Sequence, residues 1–186
     1  MVPIHALWLP ILLSAVIVFV ASSIIHMALP IHRSDYRQLP NEDVVLDALS
    51  TVGVSPGRTY HFPFTTHKDM KSPRTVEKFK RGPVGLLTIR PSGAPNMGKF
   101  LGQWFIYCVV VSIFTAYLTG RTRMPGSEYL EVFRIAGATA FIGYSLAQLQ
   151  NAIWRGETWG VTLKHVFDGL IYGVLTAGTF AWLWPK

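Results

Sequence analysis

The run from Ala6 to Leu29 contains no Lys, Arg, Asp or Glu. As a helix rising 1.5 Å per residue, it would cover the ~30 Å hydrocarbon core of a bilayer. The segment ahead of it, MVPIHALW, also lacks Lys and Arg, and no A-x-A site follows the run. It therefore reads as a retained anchor and not as a cleaved signal peptide. Pro10 stands near its start and Pro30 just past its end, positions where proline is tolerated or stops a helix.

Three further runs follow, and together they set the fold class. We expect an all-α integral membrane protein, a four-helix transmembrane bundle with helices over 6–29, 98–120, 131–154 and 161–184. A small mixed extramembrane insert, 33–97, separates the first two helices. Composition agrees, because 15% of the 186 residues are charged, against ~25% in soluble domains. Half of the residues are hydrophobic and mean hydropathy is +0.32. Trp154, Trp159, Trp182 and Trp184 fall where interface aromatics belong.

The insert carries local folding signals. Pro40 and Asn41 precede EDVVLDAL, so Asn41 is expected to cap a helix. Tyr60–Phe64 has aromatic β-propensity, with Pro63 confining it to a sheet edge or an irregular segment. Ser72-Pro73 opens a second short helix that Gly82-Pro83 closes. Val84–Arg90 fits a short strand or a segment at the membrane surface. A piece of this size is too small to hold much core.

Charge orients the chain. From Arg33 to Lys99 there are eleven Lys/Arg against six Asp/Glu. If the N-terminus lies outside, the cytoplasmic segments hold thirteen Lys/Arg and the other side four. The positive-inside rule thus places the long loop in the cytoplasm. Within it, Lys68, Lys71, Arg74, Lys78, Lys80 and Arg81 are opposed only by Asp69 and Glu77. That suits anionic lipid head groups. Nucleic acid is excluded as a partner, because no aromatic reading motif or zinc-ligand set accompanies the charge. The single cysteine, Cys108, lies in an apolar run and allows no disulfide framework.

The fourth run, VTLKHVFDGLIYGVLTAGTFAWLW, departs from apolarity by carrying Lys164, His165 and Asp168. Ionisable groups at such depth turn inward or pair. If the third and fourth helices form a hairpin, Gln148 falls opposite Asp168, Tyr144 opposite Tyr172, and Asn151 opposite Lys164 or His165. The structural reading has Lys164 snorkelling to the cytoplasmic surface, and Asp168 neutralised by it and by Gln148. The functional reading is a proton or ion path through the same cluster. His26 and His165 should share a depth at the cytoplasmic side, where they could ligate a haem or a metal. No other cofactor is evident. His61, His67 and Asp69 have no cysteine with them and do not read as a structural zinc site.

Small residues at four-residue spacing mark the expected packing lines. They are Cys108/Ser112/Ala116/Gly120, Thr139/Gly143/Ala147/Asn151 and Gly169/Gly173/Ala177. No nucleophile–base arrangement and no G-x-S-x-G, P-loop or H-E-x-x-H motif is present, so the reading leans away from an enzyme. The expectation is an accessory or scaffold subunit that contacts lipid and other membrane-protein subunits. The alternative is a small transport or redox protein built on the Lys164/Asp168 cluster or on His26/His165.

The stretches PGRTYHFP, KRGPVGLLTIRPSG and WGVTLKHVFDGLIYGVLTAGTFAWLWP resemble a group of small bacterial multi-span membrane proteins of unassigned function. The resemblance implies an inner-membrane location and a multi-pass fold. It carries over no catalytic residue.

Overall fold

Three helices of the computed structural model, which describes residues 1–186, are long and apolar enough to cross a membrane. They are Ile4–Ala28, Met97–Thr122 and Tyr129–Arg155. The first begins as a tight turn over Ile4–Leu7, continues as α1 (Trp8–Ser23) and ends in a π-helical turn over Ile24–Ala28. After it come α2 (Glu42–Val52), β1 (Arg58–Phe62), α3 (Pro73–Arg81), β2 (Gly85–Ile89) and α4 (Met97–Thr122). The chain closes with α5 (Tyr129–Ser145), α6 (Leu149–Arg155) and α7 (Trp159–Trp182). The expected fourth span is helical but is not among these three, and Lys164, His165 and Asp168 stand in its first half.

The chain forms two compact units. The first comprises Met1–Asp35, Asn96–Ile153 and Glu157–Lys186. In it α1 packs on α4, α4 on α5, α5 on α7, and α7 back on α1, so the four long helices close a ring. Helix α7 buries ten residues, among them Asp168, Tyr172 and Phe180. Where α5 meets α7, glycine is required. A Cβ on Gly169 would overlap Ser145 Oγ, and one on Gly137 would lie 3.1 Å from Ala177 Cβ. At the other end Val2 N donates to Gly120 O (2.8 Å), and a Cβ on Gly120 would come within 2.6 Å of Val2 O.

The α4 line of Cys108, Ser112, Ala116 and Gly120 is buried throughout. The expected line on the third span is not the one that packs. The buried stripe of α5 is Val132, Ala136, Ala140 and Tyr144, while Ala147 is exposed and Thr139 half-buried. The reason is local. Helix α5 ends at Ser145 and a 3-10 turn over Leu146–Gln148 intervenes before α6. A four-residue line drawn across that break loses its face. Ser145 is buried there and its hydroxyl donates to Val166 O of α7 (3.2 Å).

The second unit comprises Tyr36–Pro95 with Trp154–Gly156. Its strands pair antiparallel, from Arg58 opposite Ile89 to Phe62 opposite Gly85. Val84–Arg90 is thus a strand in its centre, and Pro63 stands just past the end of β1. Ser72 caps α3 by accepting from Thr75 N (3.3 Å), with Pro73 in the first turn. Asn41 precedes α2, but its side chain makes no capping bond. It adopts the left-handed conformation (φ 51°), whereas a capping side chain is aimed by extended backbone. No residue of this unit is fully buried. Lys68, Lys71, Arg74, Lys78, Lys80 and Arg81 are all exposed.

Candidate metal centre

Pro30 creates the site. Leu29, the residue before it, is driven to extended backbone (φ −84°, ψ 147°). A single 3-10 turn over Pro30–His32 then bends the chain back onto the end of its own helix. Residues 30–35 therefore belong to the helical unit and not to the insert expected to begin at 33.

The returning turn lays His32 on His26, with ring centroids 4.2 Å apart and planes 29° from parallel. His165 of α7 stacks on the same pair, 5.3 Å from His32 and 6.1 Å from His26. Three imidazoles thus gather around one buried carboxylate oxygen. Asp168 Oδ2 lies 3.0 Å from His32 Nε2, 3.7 Å from His26 Nε2 and 3.8 Å from His165 Nδ1. On the far side of His32, Nδ1 lies 2.5 Å from Asp35 Oδ2. The side chains of His32, Asp35 and Asp168 are nearly closed to solvent, while His26 and His165 are partly exposed.

Lys164 does not pair with Asp168. Its Nζ donates to Ile31 O (2.8 Å), Ser34 Oγ (2.9 Å) and Asp35 Oδ1 (2.7 Å). All three ammonium protons are spent on the returning turn, which leaves Asp168 to the imidazoles. Gln148 is not a partner of Asp168 either, since its Oε1 accepts from Asn151 Nδ2 one turn along α6 (3.1 Å). Burial raises the Asp35 carboxyl, but hydrogen bonds from Lys164 and His32 outweigh it, and the net shift is below the usual carboxylate range.

Asp168 Oδ2 and His32 Nε2 are both buried and neither makes a hydrogen bond, although they are close. Donors bound at 2.0–2.1 Å in a tetrahedral shell lie about 3.3 Å apart. His26, His32 and Asp168 offer donor atoms that all lie within 4.8 Å of one another, and so do His32, Asp35 and His165. Asp35 then stands where a carboxylate holding a ligand imidazole by its other nitrogen belongs. His32 packs on both His26 and His165, the pair that could ligate a haem or a metal, so a third ring stands at that pair.

A cavity of about 330 Å³ opens beside the centre. Tyr144, Tyr172, Trp104, Leu101, Gln148 and Asp168 are among its lining residues. Tyr144 and Tyr172 meet edge to face with centroids 5.5 Å apart, and Trp104 leans on both. Trp104 Nε1 donates to Ser22 Oγ (2.7 Å), which fixes the indole.

Sequence reasoning placed His26, His165, Asp168, Tyr144 and Tyr172 near one another, and it missed His32 and Asp35. The signal was there as H-x5-H-x2-D, with Pro30 inside the first spacing to turn the chain back. No protein-family model matches this chain, and no curated protein or solved structure matches it.

Proposed function

We propose that this chain is a multi-pass membrane metalloprotein. In this reading its four long helices form a transmembrane bundle that holds one divalent first-row transition-metal ion. The ligands are His26, His32 and Asp168, whose donor atoms all lie within 4.8 Å of one another, with Asp35 orienting His32 and His165 beside the set. The single observation that carries the reading is Asp168 Oδ2, a buried oxygen without a hydrogen bond that faces three imidazole nitrogens. A two-imidazole, one-carboxylate set suits zinc or iron better than magnesium or calcium. It favours a metal-dependent redox or transport role over a passive scaffold, because packing alone has no use for three stacked histidines.

The spanning of α7 is supported by its outer face. Leu163, Phe167, Leu170 and Val174 recur at helical spacing and all four are exposed. Apolar surface of that extent calls for lipid. A helix that turns its polar groups into the ring can cross a membrane with less overall apolarity. The Lys/Arg bias supports a cytoplasmic second unit with its basic α3, in this reading on a bacterial inner membrane.

A second reading has a specific observation of its own. Both ring nitrogens of His32 face carboxylates, so an imidazolium there would balance Asp168, with Lys164 balancing Asp35. The site would then hold a proton instead of a metal. Elemental analysis of detergent-purified protein separates the two. One zinc or iron per chain, lost in a His32→Ala/Asp168→Ala variant that still folds, supports the metal centre. Wild-type metal content no higher than that of the variant would overturn it in favour of the proton.

A further inference from the structure

The cavity beside the centre has chemistry that the metal does not use. Tyr144 and Tyr172 are 5% and 3% exposed, both line the cavity, and neither hydroxyl meets an oxygen or nitrogen acceptor, the soft Cys108 thiol being the group beside Tyr144. Two buried phenols that lack acceptors ask for a ligand that brings acceptors. The walls select its shape. Trp104 and the two tyrosine rings form an aromatic corner, with centroid separations of 5.5 to 6.2 Å. A flat ring can stack there.

The rim selects its solubility. Met27 and Met97 also line the cavity and are 76% and 58% exposed. An alkyl tail on the ligand would therefore leave over apolar side chains, toward lipid. At about 330 Å³ the cavity lies at the small end of ligand pockets, which suits a one- or two-ring head group and excludes a haem or a nucleotide.

We propose that this cavity is the head-group site of a lipid-soluble quinone. A quinone is flat and apolar, and it carries two acceptor oxygens on opposite edges with no donor. One oxygen accepts from the Tyr144 and Tyr172 hydroxyls. The opposite oxygen points to the end of the cavity lined by His26, His165 and Asp168. The proposal deepens the metal reading by naming a ligand for the same site, yet its contacts come from the two tyrosines and Trp104, which ligate no metal.

The test is a titration of detergent-purified protein with decylubiquinone, followed by tryptophan fluorescence. The Trp104→Phe variant subtracts the signal of the other tryptophans, and decanol controls for the tail. Runs on metal-loaded protein and on chelator-stripped protein separate this proposal from the metal centre. The expected result is saturable, Trp104-dependent quenching in both preparations. Affinity should fall about tenfold in Tyr144→Phe/Tyr172→Phe, which keeps both rings. Equal affinity in that variant, or equal displacement by decanol, would overturn the quinone site whatever the metal content proves to be.

Discussion

Lys164 Nζ lies 2.7 Å from Asp35 Oδ1, and with two further bonds, to Ile31 O and Ser34 Oγ, it ties the returning turn to α7. The carboxylate end of this pair is almost closed to solvent and the ammonium end is partly open. Removing the lysine strands the aspartate. Lys164→Met should therefore destabilise the helical unit by about 2–4 kcal/mol, toward the lower part of the range for breaking a buried pair. Adding Asp35→Asn should recover most of the loss. Thermal unfolding in detergent over the full double-mutant cycle checks this, and simple additivity would show that the two residues do not act as a pair.

Asp168 and Asp35 make different demands on a bound ion. Asp168→Asn keeps the shape of the side chain, so the fold should survive while metal content drops to background. Asp35→Asn still accepts from His32 but holds it less firmly, and metal affinity should weaken by about 10–100-fold without vanishing. Asp168→Leu should also lose stability, about 1–3 kcal/mol, because it leaves His32 Nε2 facing hydrocarbon. Metal stoichiometry and melting temperature, read side by side, give each variant its own signature. Full metal occupancy in Asp168→Asn would remove Asp168 from the ligand set.

Acid should expose the Asp35 contribution. Its carboxyl lies below its unfolded value, so the stability it supplies is fully present above the unfolded pKa, about 3.9. That stability is lost as pH falls through the lower folded value. Other carboxylates titrate in the same window, so the quantity to follow is the stability difference between wild type and Asp35→Asn. That difference should be constant from neutral pH to about 4.5 and shrink below about 3.9. A difference that grew on acidification would contradict the pairing.

Glycine substitutions should divide sharply by position. Gly169→Ala forces a methyl into Ser145 Oγ and should cost about 1–3 kcal/mol with loss of the α5–α7 contact. Gly102→Ala meets nothing within 4 Å in the second turn of α4 and should stabilise by up to about 1 kcal/mol. Melting temperatures of the two single variants decide it. Similar effects from both would mean that α5 and α7 do not approach as closely as described.

The basic segment 68–81 gives a prediction about lipid. Its six Lys/Arg are exposed, and each near an anionic surface contributes about 1 kcal/mol. A peptide of this segment should float with anionic vesicles and be released by high salt. Equal flotation with neutral vesicles would assign the binding to Val76 and Phe79 instead.

How much of this was legible in the sequence follows from which signals are local. The apolar runs, the Ser72 cap and the proline stop after the first helix are written in adjacent residues, and the corresponding elements lie within a few positions of where they were expected. The meeting of Tyr144 with Tyr172 followed from counting back from a hairpin. What failed was the packing line drawn across a helix break and the pairing assumed between neighbours in sequence. The packing line through Thr139 and Ala147 crosses the break after Ser145. Lys164 looked like the partner of Asp168 because the two are four residues apart. It bonds instead to a turn far away in sequence, whose approach depends on one backbone bend at Leu29 and Pro30. Such a bend carries no periodicity, and so His32 was passed over and Asp35 was counted with the insert.

The returning turn has a consequence for the order in which the protein is built. Ile31 and Lys164, which the turn joins, are 133 positions apart. During synthesis the turn leaves the ribosome with the first helix, long before the ammonium that will hold it exists. His26 and His32 must therefore wait through the making of the second unit and of α4, α5 and α6. A chain halted anywhere before α7 has two loose imidazoles and no Asp168. The centre is the last feature of the molecule to come into being, and an ion retained there would certify that the final helix has arrived.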